Sequence, residues 1–356
     1  MKSIGLFLSV RKDMKVLNTS VFRYLFAKVF AVQAARKGVE VFCFDWKGID
    51  VDAGGRLFVS SCWRWNGALK RKDGRFTLSK GIFYPDVVID LKLYLVKASL
   101  KDHPGLRKAL SLPESIPERA IGEAVLSKFR DSRVRVLNGP GINSLLRDKW
   151  AFYEFMKAHE SRCFFQPKTV LVRDASSAVD SLVSICPSIE GFILKPVLGS
   201  GGWGIRVFML SDMSISAVKK AVAKEVSSSD ERFILQEFVS PLPHGGAKAV
   251  DLRMFCAMGR VFPGFARYSH DSFVRRENED VPIPRDALSD GKLERAASKV
   301  ASALSGLGEV FLVSVDFMPT ARGLCLIEGN GQPGVYLSDD LLELYKFASL
   351  KVLSGK

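Results

Sequence analysis

The segment LKPVLGSGGWGI (residues 194–205) decides how the chain is interpreted, because it places a glycine-rich loop directly after a short apolar run. Gly199, Gly201 and Gly204 match the spacing G-x-G-x-x-G. That spacing indicates a dinucleotide-binding turn only when a helix follows, so that the helix N-terminus meets the pyrophosphate. Here the β-type run IRVFML (205–210) follows, and no Gly-Lys-Ser/Thr ends the loop as a Walker motif requires. The segment therefore predicts a β-hairpin with a glycine loop.

A glycine hairpin of this kind can act as a lid over phosphate groups. Glycine lets the backbone approach a ligand closely, and successive N–H groups form concavities that bind anions. Lys195 stands just before the loop and can place its ammonium group on the same phosphates. The alternative, which the segment alone leaves open, is an ordinary loop that needs glycine only for its turns.

Two apolar runs further along the chain carry groups that bind hard metal ions. Asp316 lies within VSVDF (313–317). Glu328 and Asn330 lie within LIEGNGQPG (326–334) and are two residues apart, so on a strand they point to the same face. If the two strands pair, two carboxylates and an amide oxygen form a magnesium site, completed by phosphate oxygens and water. Turn formation is the alternative, but it explains Asn330 and not the two carboxylates.

The composition is that of a globular protein large enough for two or three lobes, with 356 residues, 47% hydrophobic and 25% charged. Strand and helix patterns alternate, which predicts an α/β chain that begins with a βαβ unit and a hairpin. The predicted strands are 4–10, 39–46, 57–65, 75–83, 86–91, 169–172, 191–195, 205–210, 233–239, 252–258, 261–268, 310–318 and 324–328. The predicted helices are 21–37, 144–159, 176–185, 214–226, 292–305 and 341–353. The last helix either seals the core or forms the face of a homodimer.

The net charge of +14 favours polyanionic partners, namely ATP, acidic peptides, an acidic carrier protein or nucleic acid. No nucleic-acid-binding motif accompanies the charge, which argues against nucleic acid. No run of about 18 apolar residues is free of charge, so neither a membrane span nor a membrane partner is predicted. The six cysteines are scattered and lack a C-x-x-C pair, which predicts free thiols in a reducing cytoplasm.

The motifs and their order resemble the ATP-grasp superfamily, particularly its glutathione synthetase and ribosomal-protein glutamate-ligase branch. The pair DK (148–149) resembles the first motif, whose lysine binds phosphate, and Lys195 with the glycine loop resembles the second lysine and the lid. The segment QEFV (236–239) resembles the hinge that holds adenine through backbone groups and an acidic side chain. Segments 137–150 and 166–169 are also similar to spore-coat-associated ATP-grasp proteins.

The resemblance implies roles for individual residues. Asp251-Leu252-Arg253 resembles the D-x-R strand, with the Asp near the nucleotide and the Arg near the transferred phosphoryl group. Family members often carry a further Arg and Asn followed by Gly-Gly, and segment 273–278 fits this pattern without the Gly-Gly. The implied catalytic residues are Arg253 and Arg275, and the implied magnesium ligands are Asp316, Glu328 and Asn330. The implied nucleotide-binding residues are Lys149, Lys195, Gly199, Ser200, Gly201, Gly202, Gly204, Gln236, Glu237, Phe238, Val239, Asp251 and Asn278.

The resemblance covers residues 136–356 and implies an α/β chain with an ATP-grasp fold. Residues 1–135 would form an N-terminal α/β (pre-ATP-grasp) domain. Residues 136–356 would form the ATP-grasp domain, with a central lid lobe at about 165–238 and a C-terminal lobe at about 239–356.

The activity implied by the resemblance is an ATP- and Mg²⁺-dependent ligation of a carboxylate to an amine through an acyl phosphate, with release of ADP. Two Mg²⁺ ions are expected, for which Mn²⁺ can substitute, and the substrate is an amino acid or peptide, free or carried by a protein. Three alternatives stay open: a non-catalytic ATP-binding scaffold, a kinase-like or carbamoyl-phosphate-type reaction, and a dinucleotide-dependent oxidoreductase, which needs a helix after Gly204.

Overall fold

The computed structural model describes residues 1–7, 22–65, 76–90, 97–199, 202–243, 247, 249–269, 279–284, 287–288, 290–331 and 339–355. The chain divides into two compact units. The first unit comprises Met1–Asn143, Leu307–Leu312 and Gln332–Lys356, and the second comprises Ser144–Gly306 and Val313–Gly331. The second unit is thus inserted in the sequence of the first. The domain boundaries given above stay a prediction.

The strands are, in chain order, β1 (Ser3–Phe7), β2 (Glu40–Phe44), β3 (Ile49–Val51), β4 (Leu57–Trp65), β5 (Phe76–Phe83), β6 (Val87–Asp90), β7 (Lys97–Ser99), β8 (Ser115–Pro117), β9 (Arg135–Leu137), β10 (Thr169–Val172), β11 (Gly191–Pro196), β12 (Arg206–Met209), β13 (Phe233–Glu237), β14 (Ala249–Ala257), β15 (Arg260–Ser269), β16 (Glu279–Pro282), β17 (Leu312–Thr320) and β18 (Gly323–Asn330). The helices are α1 (Phe22–Ala35), α2 (Pro104–Ala109), α3 (Glu118–Asp131), α4 (Pro140–Arg147), α5 (Lys149–Lys157), α6 (Ala175–Ile185), α7 (Ile215–Ser227), α8 (Lys292–Ser305) and α9 (Asp339–Ser354).

The first unit contains a mixed sheet with the order β3-β4-β2-β1-β6-β9, and β5 pairs with β4. Strands β2, β1, β6 and β9 are parallel neighbours. The predicted βαβ unit and the predicted hairpin are both confirmed, as β1-α1-β2 and as β4-β5. The central parallel strands are almost entirely buried, which is why they are continuous apolar runs and not alternating ones.

Helix α3 belongs to a stretch, residues 92–135, for which the sequence analysis predicted no element. Its buried side chains Ile121, Val125 and Phe129 are spaced by four residues and join the core of the first unit. Trp46 Nε1 donates a hydrogen bond to Glu118 in the first turn of α3 at 2.9 Å. The helix is therefore held by both apolar packing and a buried polar contact.

The second unit contains two antiparallel sheets. The sheet of the lid lobe (residues 165–238) has the order β10-β13-β11-β12, and helices α6 and α7 pack on one of its faces through an apolar cluster. The second sheet, which we call the C-terminal sheet, has the order β16-β15-β14-β17-β18, and α8 packs against β14 and β15. β17 and β18 pair with each other, as the predicted metal site requires.

The single helix predicted over 144–159 is wrong, because the chain breaks between α4 and α5. Asp148 has extended backbone angles (φ −92°, ψ 102°), and its carboxylate accepts the backbone N–H of Ala151 at 2.9 Å. This is the geometry of an N-cap, which starts a new helix. The break places Lys149 at the first position of α5.

Helix α9 packs against α1 within the first unit. Its side chains Leu344, Ala348 and Val352 are buried, which supports the interpretation that this helix seals the core. Within the described ranges, we find no helix with the length and apolar character needed to cross a membrane.

Candidate active site

The glycine loop joins β11 to β12, which pair antiparallel as the sequence predicts. The dinucleotide interpretation is therefore wrong, because it needs a helix after the loop. Gly199, Gly202 and Gly204 have φ values of 138°, 75° and 74°, a backbone conformation that favours glycine strongly. Ser200 and Gly201 lie outside the described residues, so their predicted contacts stay predictions.

Lys149 reaches this loop from the start of α5. Its Nζ donates to the carbonyl of Gly199 at 2.7 Å, and its backbone N–H donates to the carbonyl of Val197 at 3.0 Å. Burial lowers the pKa of Lys149, although the charges of Glu328 and Asp148 act in the opposite direction. Lys149, the first of the two lysines predicted to bind phosphate, therefore contacts the glycine loop through its side chain.

Lys195 is the second lysine of the pair and is buried, with 8% of its surface exposed. Its Nζ donates to Gln236 Oε1 at 2.7 Å, and Gln236 Nε2 donates to Thr169 Oγ1 at 2.8 Å. Burial lowers the pKa of Lys195 to about 8, with a further decrease from the charge of Lys149 and an opposing effect of Glu328. Two desolvated ammonium groups that influence each other can be stabilised by an anion, as the predicted phosphate site requires.

Gln236 and Glu237 point to opposite faces of the lid-lobe sheet. Lys195 stands opposite Ile234 in the register of β11 and β13, so Gln236, two residues further, shares the face of Lys195. Glu237 turns to the other face, where its carboxylate is 2% exposed and accepts from Arg322 Nη1 at 2.8 Å. The hinge side chain on the lysine face is therefore the Gln236 amide, and the contact implied between the acidic hinge side chain and adenine stays a prediction.

The backbone of the predicted hinge is held on both sides. Glu237 N–H donates to the carbonyl of Lys168 at 2.8 Å, and Phe238 N–H donates to the carbonyl of Gly191 at 2.8 Å. Phe238 and Val239 are both buried. The backbone that follows β13 is therefore held in one conformation. A hinge that binds a base through its backbone groups needs such a fixed conformation.

Asp316 lies between two arginines of the C-terminal sheet. Arg253 donates from Nε to Oδ1 at 2.7 Å and from Nη2 to Oδ2 at 2.6 Å, and Arg267 Nη2 donates to Oδ2 at 2.6 Å. Arg267 also donates from Nε to Asp251. Burial would raise the pKa of Asp316, but the charges of Arg253 and Arg267 outweigh it and hold the pKa at about 2.

The three predicted metal ligands share one face of the β17–β18 hairpin. Asp316 stands directly opposite Glu328, and Ser314 stands opposite Asn330. Asn330 Nδ2 lies 3.4 Å from Glu328 Oε1. Two carboxylates and an amide are a donor set that fits Mg²⁺. A carboxylate has about four acceptor positions, and the two arginines take three on Asp316.

In the part of the chain that the structure describes, no group of three or more His, Cys, Asp or Glu side chains could hold a metal ion. The ligand set predicted from the sequence contains two carboxylates and the amide oxygen of Asn330, and asparagine is not one of those four residue types. Mg²⁺ accepts such an oxygen alongside carboxylates and water.

Arg267 and Arg322 carry no motif by which the sequence alone would have identified them. Arg267 stands opposite Asp251 in the register of β14 and β15, and such a cross-strand pair becomes visible only when the register is known. Arg322 follows the β17 strand in a turn and carries no motif. Arg275 and Asn278 lie outside the described residues, so their predicted roles stay predictions.

Solved structures of ATP-grasp proteins are similar to the whole chain. D-cycloserine synthetase DcsG aligns with a TM-score of 0.55 at 17% identity, over 99% of each chain. The ATP-grasp ligase PsnB, solved with a minimal precursor, Mg and ADP, aligns with a TM-score of 0.53 at 15% identity, over 97% of each chain. The chain therefore has the ATP-grasp fold, as the order of its motifs predicts.

Among curated proteins, the chain is similar to a "Probable alpha-L-glutamate ligase" of Mannheimia succiniciproducens. The two are 28% identical over 218 residues, which is 60% of this chain. The match spans 65% of the length of that relative. No protein-family model matches the chain. The predicted resemblance to ATP-grasp ligases is confirmed by a relative of that kind and by the fold.

Proposed function

We propose that the protein is an ATP- and Mg²⁺-dependent ligase that joins a carboxylate to an amine through an acyl phosphate and releases ADP. The observation that carries the proposal is that one unit contains two desolvated lysines and two carboxylates, Asp316 and Glu328, which stand opposite each other. Two arginines bind the first of these carboxylates. The lysines suit the phosphates of a nucleotide, and the carboxylates suit the metal ion that accompanies it.

The chemistry requires activation because a carboxylate is a poor electrophile. Phosphoryl transfer converts it to an acyl phosphate, which an amine can attack, and the protein must neutralise phosphate charge and align the reactants. Lys149 and Lys195 would supply two positive charges at the α- and β-phosphates. The positive-φ backbone at Gly199, Gly202 and Gly204 would bring N–H groups close to the same oxygens.

The metal would be held by Asp316, Glu328 and Asn330. When bound, Mg²⁺ would neutralise charge on the β- and γ-phosphates. The charges of Arg253 and Arg267 hold the pKa of Asp316 well below its usual range despite its burial, so this carboxylate would be an anionic ligand at physiological pH. Two ions would bind, and Mn²⁺ could replace Mg²⁺.

Arg253 would stabilise the transferring phosphoryl group and the oxyanion that forms when the amine attacks. Its guanidinium is buried and fixed by two hydrogen bonds to Asp316. A donor that is fixed before the reaction costs little reorganisation when charge develops, which is the main source of electrostatic catalysis.

The substrate is proposed to be an amino acid or a peptide. The curated relative is described as an alpha-L-glutamate ligase, and PsnB was solved with a minimal precursor. The net charge of +14 favours an acidic peptide or an acidic carrier protein among such substrates.

The proposal is tested by following ATP turnover with Mg²⁺ in the presence of pools of amino acids and acidic peptides. Substrate-dependent release of ADP and phosphate is expected and would identify the pool that contains the substrate. Release of AMP and pyrophosphate would indicate adenylation and contradict the acyl-phosphate mechanism. ATP binding without turnover in any pool would favour a non-catalytic nucleotide-binding protein.

A further inference from the structure

Both connections of the lid lobe are hydrogen-bonded to the β17–β18 hairpin. On the entering side, Phe165 N–H donates to the carbonyl of Leu324 at 3.0 Å, and Leu326 N–H donates to the carbonyl of Phe165 at 2.9 Å. On the leaving side, Leu242 N–H donates to the carbonyl of Pro319 at 2.8 Å. The hairpin that carries the predicted metal ligands therefore also anchors the lid lobe.

Arg322 lies in the turn of this hairpin and extends to the nucleotide hinge. Its Nη1 donates to Glu237 Oε1 at 2.8 Å, and its guanidinium carbon lies 4.3 Å from the ring centroid of Phe165. Its backbone N–H donates to Thr320 Oγ1 at 3.1 Å, which fixes the turn. One side chain thus contacts the segment that enters the lid lobe and the strand that ends at the hinge.

Glu237 is the last residue of β13 and the second residue of the hinge. Its carboxylate is almost inaccessible and accepts hydrogen bonds from Arg322 and from the Cys186 thiol, at 3.0 Å to the sulfur. Burial and the neighbouring carboxylate raise the pKa of Cys186 to about 11, so the thiol keeps its proton and acts as the donor. Because a buried carboxylate needs a partner, loss of Arg322 would release Glu237 to seek water and displace the hinge.

We infer that Arg322 is a positioning residue that fixes Glu237–Val239, the part of the hinge beyond Gln236, in the conformation that receives the adenine base. Gln236 itself is held on the other face of the sheet by Lys195 and Thr169. The inference rests on the proposed function, because it assumes that the hinge binds a nucleotide. Arg322 acts through Glu237 on the base end of the site. The phosphate end depends on Lys149 and Lys195, which approach from α5 and β11.

Because Arg322 acts at the base end of the site and not at the phosphate end, a positioning role can be distinguished from a role in stabilising the fold. An ion pair that only stabilises the unit would, when removed, weaken the binding of every ligand of the site alike. Removal of a hinge-positioning group instead weakens ligands that carry a base and spares ligands that consist of phosphates alone. Inorganic tripolyphosphate with Mg²⁺ is such a base-free probe.

The experiment measures binding of ATP·Mg²⁺ and of tripolyphosphate·Mg²⁺ by titration calorimetry to the full-length protein. Arg322→Ala is expected to raise the Kd for ATP by about tenfold and to leave the Kd for tripolyphosphate within about twofold. In turnover assays the KM for ATP should rise while kcat is retained. Arg322→Lys should restore part of the ATP affinity, since it keeps the charge but loses the planar contact with Phe165.

Two further variants complete the design. Arg107→Ala removes an exposed arginine of a 3.2 Å ion pair with Glu114 in the first unit and should change neither Kd. The double variant Glu237→Gln/Arg322→Ala removes the buried charge together with its partner, so it keeps a folded protein to measure if Arg322→Ala unfolds. Its ATP affinity should resemble that of Arg322→Ala.

Equal losses for both ligands, or an unchanged Kd for ATP, would overturn the inference. If the wild-type protein binds neither ligand, the proposed function fails, and the inference fails with it. If the wild type binds both ligands and only the ATP affinity falls in Arg322→Ala, both proposals are supported.

Discussion

The lid lobe and the C-terminal sheet bury charge in opposite ways. In the lid lobe, Lys195 lies against a neutral amide and within the field of a second lysine, and its pKa falls to about 8. In the C-terminal sheet, Asp316 lies between two arginines, and its pKa falls to about 2. The Lys195 ammonium is desolvated without enough opposite charge nearby. The Asp316 carboxylate is desolvated as well, but the positive charges of two arginines compensate it.

This difference indicates which part of the site is complete before ligands bind. A compensated cluster holds its geometry in the free protein, because loss of the carboxylate that both arginines share would leave buried positive charge poorly compensated. An uncompensated lysine gains its counter-charge only when an anion binds, so it stabilises the complex more than the fold. We expect mutations in the two regions to separate these effects.

The largest effect is expected for Asp316→Asn, which leaves Arg253 and Arg267 without their shared carboxylate. The free energy of unfolding should fall by roughly 3–5 kcal/mol, and ligation should be lost with the metal ligand. Urea denaturation measures the first effect. Glu114→Gln, at an exposed ion pair, serves as the control. If Asp316→Asn lowers the free energy of unfolding no more than this control does, the Asp316 cluster is not the compensated, stabilising part of the site.

Arg253→Ala is expected to lower kcat by about 10²–10³, because it removes the donor proposed to face the transferring group. Its effect on stability should be smaller than that of Asp316→Asn, since Arg267 still pairs with Asp316. Steady-state kinetics with saturating ATP and circular dichroism together test this expectation. Turnover like that of the wild type would refute the role of Arg253.

Lys195→Met should weaken ATP binding by about tenfold or more, because one charged contact to phosphate is lost. The same change should alter the free energy of unfolding by less than about 1 kcal/mol, since relief of a desolvated charge offsets the hydrogen bond lost by Gln236. Calorimetric titration and denaturation of one preparation give both numbers. A destabilisation as large as that of Asp316→Asn would show that the lysine is compensated after all.

The smallest effect is an uptake of protons when ATP binds. Because the pKa of Lys195 is lowered to about 8 from 10.5, the free folded protein binds this proton more weakly than the unfolded chain. Stability should therefore rise as pH increases from about 8 to 10.5. Bound phosphate restores the higher pKa, so binding at pH 8 should take up roughly half a proton.

Titration at pH 8 in two buffers with different ionisation enthalpies measures this uptake. Lys195→Met should abolish most of it, and Lys219→Met, at an exposed ion pair with Asp180, should not. Binding of ATP without proton exchange at this pH would mean that Lys195 does not meet the phosphates.

The parts of the site that depend on residues close together in the sequence could be predicted. The hairpin around Gly199–Gly204 followed from two β-type runs beside a glycine loop, and the shared face of Glu328 and Asn330 followed from strand alternation. Asp316 was expected beside them only if the two strands pair, and they do. The break at Asp148 was missed, although an Asp directly before a helical run is an N-cap signal. The 14 residues of α3 were missed although their apolar stripe has helical spacing.

The remaining contacts could not be predicted because they depend on register and on contacts between distant segments. Arg267 meets Asp316 across 49 positions of sequence, and Arg322 meets Glu237 across 85. The face to which Glu237 turns depends on where β13 begins, and a shift of one residue would exchange it with Gln236. No motif fixes these details.

The position of helix α9 has a consequence for biosynthesis. The helix packs on α1 in the first unit, yet it is translated after the whole second unit. During synthesis the second unit can close its sheets while the nascent first unit still exposes the apolar face of α1. The first unit therefore completes its core late. Chaperone binding to the apolar face of α1 should be strongest in ribosome-bound chains from which residues 339–354 have not yet emerged.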